Sequence, residues 1–190
     1  MLLSLTRNSV GVAALALCAL AATPPAWAAL DIGDKAPDFT TQASLAGKPH
    51  RFALSETLAK GPVVLYFFPA AFSIGCSIEA HEFAESMDKF EALGATVIGV
   101  SGDDVETLNR FSVQGCQGRF PVASDSNQQI IKSYDADMST RAEYANRVSY
   151  VIAPNGLVSY QYTSLNPYRH VERTLAAVKQ LQERTKKPSP

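Results

Sequence analysis

The chain has 190 residues, 46% hydrophobic and 18% charged, with a formal net charge of -1. That size and balance suit one globular domain, and the near-neutral charge supplies no basic face for nucleic acid. No internal repeat and no block of like charge breaks the chain.

The first residues read as a leader rather than as fold. Arg7 gives a positive n-region, "VGVAALALCALAA" is an apolar h-region too short for a comfortable membrane span, and Ala26-Trp27-Ala28 is a small-x-small cleavage pattern. Cleavage is expected between Ala28 and Ala29. The alternatives are an uncleaved anchor or a buried first helix; a lipoprotein signal ending at Cys18 is disfavoured by the large Leu17 before it. Residues 1–28 carry one Arg and no other charged side chain, so their removal takes the formal net charge to -2. It also removes Cys18, leaving Cys76 and Cys116, an even number in an exported, periplasmic, disulfide-permissive setting, with no membrane span in the mature form. A static disulfide between them is one reading, although a domain of this size can bury a core without a staple.

The mature chain opens on "LDIGDKAPDFTTQ", polar and turn-rich. "GKPHRFALSETLAKG" predicts a short strand and a helical turn. "PVVLYFF" (62–68) is a continuous apolar, β-rich run, the pattern of a strand covered on both faces, ended by Pro69. From about Ser77 the period changes. Phe83, Met87 and Phe90 are spaced for one face of a helix, with acids and Lys89 between them and Gly94 as its stop. "ATVIGVS" predicts a second buried strand. Asp103 and Glu106 form a capping-box pattern that opens a helix carrying Leu108 and Phe111. "RFPVASD" predicts a strand and "SNQQIIKSY" a helix. "RVSYVIAPNGLVSYQYT" is a hairpin around Pro-Asn-Gly. Asn166 and Pro167 fit the N-cap and first position of a last helix striped by Val171, Leu175, Val178 and Leu181. The order implies an α/β domain over 29–184, a thioredoxin-like mixed sheet flanked by helices, and a flexible tail at 185–190.

Cys76 lies where a buried strand gives way to a helix. Unpaired N–H groups and the positive end of the helix dipole favour a thiolate there. Ser73, three residues earlier, offers a short hydroxyl to the sulfur or to a small polar substrate, and Pro69 would fix the loop and shield it from water. The plain alternative is a packing cysteine. His50 and His170 show no ligand spacing, so no metal site is expected.

Pro69-x-x-x-Ser73-x-x-Cys76 resembles the signature of the peroxiredoxins, and "FFPAAFSIGCSIEA" resembles their bacterioferritin-comigratory-protein (PrxQ) branch. "GDKAPDF", "RFPVASD" and "RVSYVIAPNGLV" match in order, so the resemblance covers nearly the whole mature chain. It implies a thioredoxin fold and a thiol-dependent peroxidase acting on hydrogen peroxide or organic hydroperoxides, with no metal or flavin. Cys76 would be the peroxidatic cysteine, Ser73 would stand in for the family's threonine, and Arg147 would favour the thiolate and stabilise charge as the O–O bond breaks. Glu79 would orient Arg147; taken alone it reads as an ordinary first-turn acid. The branch is often monomeric, and outside the cytoplasm the reductant would be a thioredoxin-like or glutaredoxin-like protein or a small thiol.

One position departs from the pattern. Many relatives carry a resolving cysteine five residues after the first, where this chain has His81. Other members place it on a later helix, and Cys116, between Gly115 and Gly118, is the candidate here. Flanking glycines suit a segment that must unwind to bring two sulfurs together. Two alternatives stay open: a one-cysteine peroxidase reduced by an external thiol, and a thioredoxin-fold exchange or binding module without peroxidase activity. The absence of Cys-x-x-Cys weighs against an exchange enzyme.

Overall fold

The computed structural model describes residues 29–186; the expected leader, with Cys18, and residues 187–190 lie outside them. Strands β1 (Thr40–Leu45) and β2 (Lys48–Ala53) form an antiparallel pair and lead into the short helix α1 (Leu54–Leu58). Then come β3 (Val63–Phe67), α2 (Ile74–Ala92), β4 (Thr96–Ser101), α3 (Val105–Gln114), β5 (Val122–Ser124) and α4 (Gln129–Ser133). A small two-stranded sheet, β6 (Asp137–Met138) with β7 (Arg141–Ala145), precedes the hairpin β8 (Val148–Ile152) and β9 (Val158–Thr163). Helix α5 (Arg169–Lys186) closes the chain.

The main sheet has seven strands in the order β2-β1-β5-β4-β3-β8-β9. Strands β3, β4 and β5 are parallel and the flanking pairs antiparallel, which is the mixed thioredoxin-like sheet that the sequence implied. The run at 62–68 is apolar throughout because both faces of β3 are covered. Val63, Leu65 and Phe67 enter one core with α1 and α4; Val64, Tyr66 and Phe68 enter the other with α2, α3 and α5. Among the described residues no helix is long and apolar enough to cross a membrane.

Several boundaries differ from the sequence reading. The opening segment is not only turns: Thr40–Leu45 is a strand that joins β2 to β5. Its alternation is masked by small residues, and only pairing reveals it. The sheet of β6 and β7 was likewise unexpected. Helix α2 begins at Ile74 rather than Ser77, so Cys76 is its third residue. The cap of α3 is Asp104, whose side chain accepts from the Thr107 N–H at 2.7 Å, and not Asp103. Asp104→Ala is therefore expected to lower the urea unfolding midpoint. Helix α5 starts at Arg169, because Asn166 accepts from the Tyr168 N–H at 3.1 Å in a turn of its own. It continues through Thr185 and Lys186, into the segment read as tail.

Candidate active site

Three elements meet at Cys76. Strand β3 ends in the loop of Pro69, which is half-buried, and this loop is held from below by Asp103: its Oδ2 accepts from the Ala71 N–H at 2.8 Å and from the Ser101 hydroxyl at 2.8 Å. Phe72 takes a left-handed backbone (φ 63), unusual for a bulky side chain, and its ring meets Phe111 edge-on at 5.2 Å. Ser73 is the N-cap of α2; its hydroxyl makes no capping bond and its side chain is exposed, so it is free to meet a ligand. Cys76, in the first turn, is 1% exposed.

The sulfur has a cationic partner. Arg147, immediately before β8, donates from Nη2 to Cys76 Sγ at 3.4 Å and from Nη1 to Glu79 Oε2, one turn further along α2. Gly75 makes room for this: a Cβ there would lie 3.1 Å from Arg147 Nη2. Arg147 and Glu79 are both buried. Glu79 is thus no surface acid complementing the helix dipole but the second anchor of the guanidinium. Burial pushes its carboxyl up to about 8, against the downward pull of Arg147. Desolvation works against the charge on Arg147, but Glu79 and Cys76 outweigh it and hold the guanidinium charged.

A residue with no sequence signal continues the chain. His170, in the first turn of α5, is fully buried, with Nδ1 3.6 Å from Glu79 Oε1 and 2.8 Å from the Ser149 hydroxyl. Its Nε2 lies 2.9 Å from the Ser164 carbonyl. A carbonyl only accepts, so Nε2 carries the hydrogen of the neutral ring and Nδ1 accepts from Ser149. Burial, aided by the Arg147 charge, lowers His170 to about 4 against a pull upward from Ser164. A depressed histidine binds its proton in the unfolded chain first, so its contribution is full above pH 6.5 and lost as pH falls through 4. The penalty for His170→Gln is expected to shrink by about 3 kcal/mol over that window in urea titrations.

Cys116 follows α3 in a turn and is 0% exposed. Both thiols are free, which excludes a static disulfide in this structure, and both belong to the apolar cluster around Tyr66, Phe83 and Phe111. Burial pushes the Cys116 thiol far above its ordinary value. Gly115 has a local reason to be glycine, since a Cβ would sit 2.5 Å from the Phe111 ring; Gly118 takes a left-handed backbone (φ 67). The turn is tied to α2 by His81 Nδ1, 2.6 Å from Gln117 Nε2, and by an ion pair of Arg119 with Asp88. An open groove over α2, lined by Phe72, Ile78, His81, Gly115 and Tyr168, does not include Cys76 but borders its loop through Phe72 and the Cys116 turn through Gly115.

Comparison with known proteins agrees with the geometry. The AhpC/TSA family model matches residues 32–161. Peroxiredoxin Q, chloroplastic, of Arabidopsis thaliana is 34% identical over 154 residues, covering 80% of this chain and 69% of that protein. The protein of that name from Sedum lineare is 32% identical over 150 residues, covering 78% of each. The crystal structure of Peroxidoxin BcpB from Mycobacterium tuberculosis superposes with a TM-score of 0.68 at 27% identity, covering 78% of this chain and 96% of that one. The reduced 2-Cys peroxiredoxin of Plasmodium vivax, with a TM-score of 0.73 at 23% identity over 82% of this chain and 99% of that one, supports the fold alone. With a buried sulfur held by a guanidinium at the head of a helix, and with relatives of these names, the chain belongs to the AhpC/TSA family: it is a peroxiredoxin, a thiol-dependent peroxidase acting on hydroperoxides.

Proposed function

We propose that Cys76 is the reacting sulfur and that Cys116 resolves it. The observation that carries the assignment is the Arg147 guanidinium, bonded at once to Cys76 Sγ and Glu79. The Cys76 thiolate attacks the terminal peroxide oxygen, the O–O bond breaks, and Cys76 becomes a sulfenic acid while the leaving oxygen takes up one proton to give water or an alcohol. Ser73, exposed at the helix mouth, binds the peroxide, and Pro69 and the Asp103-anchored loop hold the entrance. The Cys116 thiol then attacks the sulfenic sulfur, forming a disulfide and releasing water. Cys116 is buried, and the turn from Gly115 to Arg119 that carries it is held to α2 by the His81–Gln117 and Asp88–Arg119 contacts, which a rearrangement toward the disulfide would break. A thioredoxin-like or glutaredoxin-like protein, or a small thiol, returns the disulfide to two thiols.

The complete burial of Cys116 favours a second reading, in which the sulfenic acid waits for an external thiol. One equivalent of hydrogen peroxide added to reduced protein separates the two. Loss of both thiols, with a mass fall of about two hydrogens on a monomer, is expected for internal resolution. Loss of one thiol with gain of one oxygen would establish the one-cysteine cycle. The leader pattern supports export to the periplasm as a chain beginning at Ala29, and Edman sequencing of the protein from a periplasmic extract reads that terminus directly.

A further inference from the structure

The charges around Cys76 do not balance as four isolated groups. A thiolate, the Arg147 guanidinium and an ionised Glu79, with His170 neutral, would leave one net negative charge in a site whose four members are all buried. The hydrogen-bond pattern points the same way. Glu79 Oε1 has no partner, yet it faces His170 Nδ1 at 3.6 Å, and Nδ1 is the bare nitrogen of the ring. Two acceptors face each other in a buried site, and the Ser149 hydroxyl reaches Nδ1 but not Oε1. One further proton satisfies the orphaned oxygen and brings the set to neutrality. Glu79 Oε2 can still accept from Arg147 when Oε1 is protonated, so the ion-pair geometry survives.

We infer that Glu79 and His170 hold one proton between them while Cys76 is a thiolate, and surrender it when Cys76 loses its charge. The inference rests on Cys76 being the reacting sulfur. Before reaction the set comprises thiolate, guanidinium, a protonated Glu79 and neutral His170, and is neutral. The thiolate sulfur gives its electron pair to the peroxide oxygen, the S–O bond forms, the O–O bond breaks, and the leaving oxygen takes a proton. Sulfenic acid, guanidinium and ionised Glu79 remain, again neutral. The proton lost by the pair equals the proton gained by the leaving oxygen. The upward displacement of Glu79 and downward displacement of His170 place the stored proton on the carboxyl, with the imidazole as the acceptor that positions it. The other groups facing the pair are Tyr66 on β3, a neutral phenol held far above its ordinary value by burial, and Tyr162 on β9, whose ring meets His170 edge-on at 4.9 Å. Tyr66 supplies no competing charge. His170 does not touch the sulfur and acts as a positioning residue.

The test is an infrared difference spectrum of the whole mature protein, reduced against peroxide-oxidised, with absorbance at 240 nm followed in the same samples to register the thiolate. A carboxylic-acid carbonyl band present in the reduced form and replaced by carboxylate on oxidation is expected, absent in Glu79→Gln. Carbon-13 labelling of glutamate assigns the band if that variant does not fold, since Glu79 is the buried glutamate of the described residues. Alkylation of Cys76 with iodoacetamide removes the same charge without peroxide and should discharge the same band. A reduced form with no acid band, or a band unchanged by oxidation and alkylation, overturns the inference while leaving the peroxidase assignment intact. Failure of Cys76 to react with peroxide while alkylation still discharges the band would instead sink that assignment and keep the proton store.

Discussion

Cys76→Ser is expected to abolish peroxide consumption, and Arg147→Met to slow the first oxidation step by about 10²–10³-fold. The two effects have different origins. Serine keeps the size and the helix position of Cys76 but has no thiolate to donate an electron pair. Methionine keeps the apolar stem of Arg147, but removes the donor that lies 3.4 Å from Sγ and the positive charge that the proposed mechanism sets beside the thiolate and the breaking O–O bond. Loss of a preorganised donor at a site of developing charge is the measured precedent for that magnitude. The variant should still fold, because burial already favours a neutral Glu79 and the carboxyl left behind can stay protonated. Arg147→Lys should recover only part of the rate: one ammonium cannot present two planar donors to Sγ and Oε2 together. Stopped-flow rates with hydrogen peroxide, taken beside circular dichroism, check both. An Arg147→Met protein that reacts as fast as wild type would make Arg147 a core residue and nothing more.

Phe83→Ala is expected to cost about 3–5 kcal/mol of folding stability in chemical denaturation. Phe83 is 0% exposed and lies two turns beyond Cys76 on the buried face of α2. Its ring stacks on Tyr66 at 4.5 Å, tilts against Phe90 at 5.9 Å and meets Phe120 at 6.1 Å. Deleting it opens a cavity in the aromatic cluster that also buries Cys76 and Cys116. The neighbours cannot collapse into that space freely, because Tyr66 is fixed on β3 and held against Gly99, where a Cβ would lie 2.7 Å from its ring. A cost below about 1 kcal/mol would mean that the cluster repacks, and that the surroundings of the two thiols are more adaptable than this packing implies.

The parts of this protein that depend on local pattern are legible in the order of its residues. Unbroken apolar, β-rich runs at 62–68 and in "ATVIGVS" read as covered strands, the spacing of Phe83, Met87 and Phe90 as one buried face of a helix, and Pro-Asn-Gly as the turn of a hairpin, and each is what the fold contains. The same text placed Cys76 at a helix start within three residues of where the helix begins, and the family resemblance singled out Arg147 and Glu79 as its neighbours. Tertiary structure decided the rest. Strand β1 carries no strong signal and exists because β2 and β5 pair with it. Asp103 looked like a helix cap and is a clamp on the loop before α2, since a carboxylate offers the same bonds to any N–H that the fold brings near. His170 is the clearest case. Nothing in its flanking residues marks it, and its partners Glu79, Ser149 and Ser164 come from three separate segments. Whether a histidine is a solvated base or a buried neutral acceptor is set by what surrounds it on all sides, and only the closed fold supplies that surrounding.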